Sequence, residues 1–448
     1  MSAGLKRWKP YPAYKESGVE WLGQVPEGWE VKRLRFLVAT NPSKTEVRLS
    51  SDDFVSFVPM EAVGEYGGMQ CQERCLDEIG SGYTYFADGD ILIAKITPCF
   101  ENVKGAIAEN LTNGIGFGST EFHVVRHLGT MNATYCFWVS ISYIFRKVGE
   151  AHMYGAGGQK RIPDVFIKNF HLPTPPLPEQ HAIAAFLDQQ CAQIDSLIEK
   201  KQRMLNLLDE KRRAVITQAV TRGLDPTLPM KDSGVEWLGQ VPEGWKIRRL
   251  KFLASVSYGL SEPPEYHQQE GIRFIRATDL HAGKIFLETI RCVDPNDIPR
   301  NKIFWLRDGD IIVVRSGAYT GDSAIVTKQL EGSIAGFDMI LRCTEAVPQF
   351  IQWVLLSTYT KETQIDLQRM RAAQPHLNAD QLKNCILLYP PLPEQQAIAD
   401  YLDVQCAAMD SQRKNLEKSI ELLREYRASL ITHAVTGKID VRDVAPLQ

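Results

Sequence analysis

Ser17–Trp29 reads SGVEWLGQVPEGW, and Ser233–Trp245 reads the same residues again. Two further blocks return at nearly the same interval. Pro175–Gln180 (PPLPEQ) recurs as Pro390–Gln395, and Ile216–Asp225 (ITQAVTRGLD) recurs as Ile431–Asp440 (ITHAVTGKID). The intervals are 216, 215 and 215 residues, so one unit of about half the chain occurs twice. Between the copies lie Val38–Phe170 and Ala254–Ile386, which resemble each other poorly. A duplicated frame around two divergent inserts points to one architecture presenting two different readers, and away from a single catalytic centre.

Composition sets the bounds. The 448 residues leave room for two or more domains, each with its own core. Hydrophobic residues make up 44% and charged residues 23%, the ordinary globular range. No apolar run approaches the roughly 20 residues of a membrane span, and the N-terminal stretch lacks the apolar core of a secretory signal. Nine scattered cysteines fit reduced thiols better than a disulfide framework, so a cytoplasmic chain is expected. The net charge of −3 is not that of an obviously basic nucleic-acid binder. Holding a polyanion would need local basic clusters or a partner that adds positive surface.

Each half opens on its copied block. Val25-Pro26-Glu27-Gly28 and Val241-Pro242-Glu243-Gly244 read as type I turns, with Pro second and Gly fourth. Glu30–Val38 and Lys246–Ala254 partly alternate apolar and basic residues, which predicts an opening strand. Within the inserts, Asp88-Gly89-Asp90 precedes Ile91–Ile96, and Asp308-Gly309-Asp310 precedes Ile311–Arg315; both predict a tight turn feeding a buried strand. Thr134–Phe145 and Gln349–Tyr359 are apolar and aromatic. A core helix fits each, although length alone leaves strands open.

Each half closes on a long helix. A Pro-rich approach leads to Pro178 or Pro393 at a first helical position, then to Glu179 or Glu394 near the positive helix end. No Pro or Gly interrupts from there to Val220, or to Val435. Roughly 40 residues at about 1.5 Å each make a rod of about 60 Å. One seam repeats every seven residues: Leu187, Ile194, Lys201, Leu208 and Val215, then Leu402, Met409, Leu416, Leu423 and Leu430. A companion row holds Cys191, Ile198 and Leu205, then Cys406, Arg413 and Ile420. Two helices with matching heptad seams most simply pack on each other as a coiled coil. The connections then require an antiparallel pair with one insert at each end, related by a pseudo-two-fold. Both termini fall near the junction between the first insert and the second helix. An object of this symmetry suits a symmetric polymer such as duplex DNA.

These features resemble the specificity (S) subunit of type I restriction–modification systems. The resemblance rests on the doubled SGVEWLGQVPEGW, the doubled PPLPEQ, and the long helices closing on Ala219–Thr221 and Ala434–Thr436, and it covers nearly the whole chain. It implies a mixed α/β chain of two α+β target recognition domains separated by two long antiparallel coiled-coil helices. The expected boundaries are 1–171 for the first recognition domain, 172–226 for the first spacer helix, 227–386 for the second domain, and 387–448 for the second spacer helix and tail. By resemblance, each insert reads one half of a bipartite double-stranded DNA target. The helices set the spacing and dock modification (methyltransferase) subunits, two in number, and restriction (motor and nuclease) subunits. S-adenosylmethionine, ATP and magnesium then belong to those partners, with no cofactor and no catalytic residue in this chain.

Other chemistry fares worse. There is no GxxxxGK[ST] phosphate loop. Neither Asn41-Pro42-Ser43-Lys44 nor Glu262-Pro263-Pro264-Glu265 has the Asn/Asp-Pro-Pro-aromatic form of a methyltransferase. A nuclease could use Asp88, Asp90 and Lys95, or Asp308, Asp310 and Arg315, around a metal; the Asp-Gly-Asp spacing favours a turn. Cys71 and Cys75 lack a second ligand pair. His123 and His127 sit about 13 Å apart along a strand, too far to share a metal. A protein-binding scaffold is the remaining alternative class.

The DNA-contact candidates lie in the inserts. In Gly155–Arg161 (GAGGQKR) the glycines allow close approach, and Gln159, Lys160 and Arg161 offer an amide and cations; the bland reading is a surface loop. Arg369, Arg371 and Gln374 hold the corresponding place in the second half. Arg315, Ser316, Tyr319 and Thr320 form a glycine-bounded loop after a buried strand, matched by Lys95 and Thr97, with Lys104 further on. Trp21, Trp29, Trp237 and Trp245, identical between halves, are expected in the core.

Overall fold

Leu177–Arg222 and Leu392–Val435 form the two long helices in the computed structural model, which describes residues 8–79, 82–261, 265–267, 270–298, 304–367 and 376–442. Both begin one residue before the expected proline, with the carbonyls of Pro176 and Pro391 accepting the first helical amides. The chain divides into two units, Met1–Lys201 with Glu417–Gln448 and Gln202–Leu416. Each unit thus joins the front of one long helix to the back of the other.

Within each unit the two helical segments run in opposite directions. In the second, Asp209 pairs with Arg413 and Arg212 with Asp410, so an advance along one segment is a retreat along the other. In the first, Asp195 pairs with Arg427, while Glu179, a full helical front away, meets Tyr11 beside Arg442. The Arg212–Asp410 and Arg427–Asp195 pairs are one pair repeated at the 215-residue interval; Asp209–Arg413 has no such counterpart, because position 424 is Arg and position 198 is Ile. The expected seam is the buried face at the outer positions: Leu187, Ile194, Leu402 and Met409 are buried with Cys191 and Cys406. Leu208, Leu416, Leu423 and Lys201 are half-buried.

The PPLPEQ motif acts through its glutamine. Gln180, buried, accepts the Asn132 N–H through Oε1 (2.9 Å) and donates through Nε2 to the Pro175 carbonyl (2.9 Å). Gln395 does the same with the Val347 N–H (3.0 Å) and the Pro390 carbonyl (2.8 Å). Two turns further along the helices, Trp138 and Trp353 donate to Asp188 and Asp403 (2.8 and 2.9 Å). Each insert's own helices are thereby fixed to the front of a long helix.

The copied block behaves nearly as read. The turn sits one residue later than expected, with Trp29 N–H on the Pro26 carbonyl and Trp245 N–H on that of Pro242, because Gln24–Pro26 and Gln240–Pro242 are strands. Trp29 and Trp245 are buried, but Trp21 is only partly covered and Trp237 is 45% exposed, stacked on Tyr359. The expectation that all four enter the core fails for Trp237. The expected strand at 30–38 is cut short: Glu30–Arg33 pairs with His171–Thr174, and Leu34–Phe36 turns inward as a 3-10 helix to bury Leu34. Lys246–Arg249, paired with Ile386–Tyr389, breaks the same way at Leu250. In the first unit residues 8–16 embrace the helix end, with Asp440 N–H on the Lys9 carbonyl (2.7 Å) and the Tyr14 hydroxyl on that of Gly437 (3.0 Å).

The divergent inserts share a topology. In the first, an antiparallel sheet orders Val38–Thr40, Phe122–His127, Ile91–Ala94 and Gly105–Ile107. A second sheet orders Gln72–Cys75, Phe54–Val58, Ile115–Gly118 and Thr84–Ala87, its middle pair parallel. The second insert repeats the first sheet with Ala254–Tyr258, Met339–Cys343, Ile311–Val313 and Ser323–Ile325, and again has a parallel pair, Ile272–Ile275 with Ile334–Ala335. The apolar segments are helical as expected, but Thr134–Phe145 is broken where Ser142 caps a second helix, giving Ala133–Ser140 and Tyr143–Glu150. Pro348–Leu356 covers the matching place. Among the described residues no helix is long and apolar enough to cross a membrane.

The Asp-Gly-Asp turns close these sheets. Asp90 is buried, caps the turn through the Ala87 N–H, and takes a two-pronged contact from Arg126 (both 2.6 Å). Asp310 repeats this with the Arg307 N–H and Arg342 (2.7 and 2.6 Å). Removing either arginine strands a buried carboxylate, at a cost of about 3–5 kcal/mol. Arg126→Met and Arg342→Met are therefore each expected to lower the unfolding free energy by that amount, read as the fall in denaturant midpoint multiplied by the m-value, and a loss under about 1 kcal/mol would refute the role.

Candidate nucleic-acid interface

In the first unit the strand Ile91–Ala94 delivers Lys95, Ile96 and Thr97 to the sheet's end, and the Gly-rich segment folds back against them. Tyr154 and Arg161 exchange backbone hydrogen bonds (3.1 and 2.8 Å), closing a hairpin. Its returning limb is stitched to the strand end by Thr97 N–H on the Lys160 carbonyl and Ile162 N–H on the Lys95 carbonyl (2.9 and 2.8 Å). Gly155, Gly157 and Gly158 all have positive φ, which is why glycine is needed in this loop.

Lys95, Thr97, Gln159, Lys160 and Arg161 are thus brought together. Gln159 and Lys160 are exposed, and Tyr154 beside them is 63% exposed. Arg161 is engaged already: its guanidinium grips both Glu121 oxygens, and that hydrogen bonding holds the Glu121 carboxyl below its usual range. Thr97 donates to Glu101 (3.0 Å). Lys104 does not join the group, since its amine donates to the Met60 carbonyl (3.3 Å). Behind the loop the buried Arg146 holds the carbonyls of Ser140 and Phe100 (2.8 and 2.9 Å), and burial pulls its guanidinium down to about 9. His123, placed on its strand as expected, faces the Ile162 carbonyl (2.9 Å).

The second unit uses the same place with different chemistry. The Arg315 guanidinium lies between the rings of Phe337 and Tyr258 (4.2 and 4.8 Å to their centres) and donates through Nη2 to His376 (3.1 Å). Ser316 bridges His376, and Leu377 N–H meets the Arg315 carbonyl, as Arg161 and Ile162 do for Ile96 and Lys95. Tyr319 is 45% exposed, edge-on to His281. Thr320 points inward: it is buried, and its hydroxyl donates to the Gly317 carbonyl (2.7 Å), because the loop needs that bond to turn. Arg369, Arg371 and Gln374 lie outside the described residues. Among the described residues no group of three His, Cys, Asp or Glu could hold a metal ion.

Tyr154, Tyr258, Phe337 and His376 were not singled out from sequence. Tyr154 carried a signal, standing directly before the glycines. The aromatic pair around Arg315 did not, being 79 residues apart in the chain.

Beneath Arg315 lies Asp338, buried, accepting the Arg315 N–H (3.3 Å). Burial pushes its carboxyl up to about 6, against a partial pull downward from Arg315. The folded value exceeds the unfolded one, so this group's contribution to stability is full below about pH 4 and lost as pH rises through about 6. Asp338→Asn is expected to gain on the parent chain by up to about 3 kcal/mol between pH 4 and 7. Parallel stability curves over that window would refute the assignment.

Comparison with known proteins identifies the family. The model described as "Type I restriction modification DNA specificity domain" matches twice, at residues 26–206 and 242–422. The EcoAI specificity subunit of Escherichia coli is 39% identical over 217 residues, 48% of this chain, and the EcoEI subunit 38% over 220. The chain spans only 36% of the length of these two relatives. The MjaVIII specificity subunit of Methanocaldococcus jannaschii is 21% identical over 96% of this chain and 98% of its own. Two solved structures share the fold. A chain from a study of assembly and conformational transition of the type I R-M system has a TM-score of 0.72 at 19% identity, covering 93% of this chain and 99% of that one. The HsdS subunit from Thermoanaerobacter tengcongensis has 0.53 at 17%, covering 95% and 100%. With two matched domains spanning most of its length, this chain belongs to the family of type I restriction–modification specificity subunits.

Proposed function

We propose that this chain is the DNA-reading subunit of a type I restriction–modification complex. Each insert reads one half of a bipartite duplex target. The paired helices set the spacing and dock two modification subunits together with the restriction subunits. The observation that carries this reading is one scaffold built twice with unlike chemistry at the same topological place. A glycine hairpin presents Tyr154, Gln159 and Lys160 in the first unit, and a ring-stacked Arg315 with Tyr319 stands there in the second. Amides and cations of this kind suit base edges and phosphates respectively.

The chain contributes binding energy and geometry rather than covalent chemistry. Methyl transfer, translocation and cleavage, with S-adenosylmethionine, ATP and magnesium, fall to the partner subunits, in the cytoplasm. Because the net charge is −3, the isolated chain is expected to bind DNA weakly, with much of the phosphate contact supplied by the modification subunits. Titrating duplex DNA with the chain alone and with those subunits tests this; equal affinity would count against it.

The modular reading makes a sharper prediction. Replacing 38–170 by an unrelated insert should change one half of the methylated target sequence and leave the other half intact, as read by genome-wide mapping of methylated adenine. If both halves changed together, two independent readers would be the wrong description.

A further inference from the structure

Outside the inserts, the frame carries an exposed cationic edge in each unit. Lys32, Arg33 and Arg35 follow the first copied block, and Arg248, Arg249 and Lys251 stand at the matching places after the second. Each triplet lies on a short strand and the 3-10 turn after it, anchored by a buried leucine, Leu34 or Leu250. All six cations are exposed. Next to each triplet stands an exposed ring, Phe36 at 68% and Phe252 at 56%, lying 5.7 Å from the Arg35 guanidinium and 5.1 Å from the Lys251 amine. Among the described residues only Lys32 meets a carboxylate, that of Glu30. Arg33 meets His171 (3.5 Å), Arg35 the Asn169 side chain, and Arg249 that of Asn384 (3.4 Å). In the second unit Lys246 adds a fourth exposed cation.

We propose that these two edges are seats for the phosphate backbone of duplex DNA, one flanking each half-site; the assignment rests on the DNA-reading function proposed above. Lys and Arg change places at two of the three positions, Lys32 with Arg248 and Arg35 with Lys251. Positive charge is therefore kept while fork geometry is not. A phosphate accepts that exchange, whereas a two-pronged contact to a base edge does not. The edges belong to the frame common to both halves, so they cannot tell one half-site from the other, and backbone contact is the DNA interaction that carries no sequence. They also lie beside the reading loops. In the first unit the glycine hairpin runs directly into the helix Asp164–Asn169, whose last residue holds Arg35. In the second, His376 leads into Ala379–Lys383, and the next residue, Asn384, holds Arg249. A chain of net charge −3 needs such local clusters if it is to lie on a polyanion.

The test uses the full chain assembled with its modification subunits. Binding is measured against salt, on a duplex carrying the mapped target and on one lacking it. Lys32→Gln/Arg33→Gln/Arg35→Gln, or Arg248→Gln/Arg249→Gln/Lys251→Gln, should weaken both duplexes by the same factor. Each triplet should also make the slope of log K against log salt shallower by about 2–3, the loss of up to three phosphate contacts. The swap variant Arg248→Lys/Arg249→Lys/Lys251→Arg should keep the parental slope, which separates lost charge from a damaged fold. An unchanged slope in the Gln variants, a changed ratio between target and non-target, or lost assembly with the modification subunits at parental slope would each overturn the assignment. Those three results would leave the reading function standing. If the parent complex did not prefer the target duplex, the reading function itself would fall.

Discussion

Each unit depends on one apolar seam, where the front of a long helix packs against the back of the other. In the first unit Leu187, Cys191 and Ile194 share a core with Leu430, Ile431, Ala434 and Val435; in the second Ile216 and Val220 share one with Leu402 and Cys406. Most of the stability of a helix in a protein comes from packing its apolar face rather than from propensity. Burial on the partner segment stabilises it, at roughly 25 cal/mol per Å² of apolar surface. The insert helices join the same cores through Tyr135 and Phe166, or through Phe350 and Tyr359. Frame and reader therefore share one core in each unit.

The seam also contains charge. Arg212, Arg413 and Arg427 fall on the heptad row that elsewhere holds Cys191, Leu205 and Ile420, and each finds an aspartate on the facing segment. Partly exposed pairs of this kind add little to stability. Their effect is on register: sliding either segment by one turn would separate Asp209 from Arg413 and Arg212 from Asp410 together. Arg427 is further covered by the Tyr66 ring at 3.6 Å, so a loop of the first insert touches the same position.

The frame was legible in the sequence because it rests on local signals: a repeated block, a proline-marked helix start and a seven-residue period. The antiparallel direction followed from connectivity, and within the second unit Asp209–Arg413 together with Arg212–Asp410 bears it out. The interface was legible only where one loop carried its own chemistry, as in Gly155–Arg161. Thr320 looked like a base contact because a hydroxyl in a glycine-bounded loop reads as available, yet the turn consumes it. Arg161 likewise looked free until folding set Glu121 beside it. The Tyr258–Arg315–Phe337 stack was out of reach, since only the pairing of Ala254–Tyr258 with Met339–Cys343 brings those rings together.

The buried glutamines Gln180 and Gln395 hold their inserts by main-chain amides, and the residues that offer those amides differ, Asn132 in one unit and Val347 in the other. A latch that grips peptide rather than side chain is indifferent to what the gripped segment spells. Selection can then rewrite a reader's vocabulary at nearly every position without loosening its mount, while the mount stays fixed letter for letter. Such a division explains how two halves descended from one ancestor could drift so far apart in their inserts while PPLPEQ stayed unaltered in both.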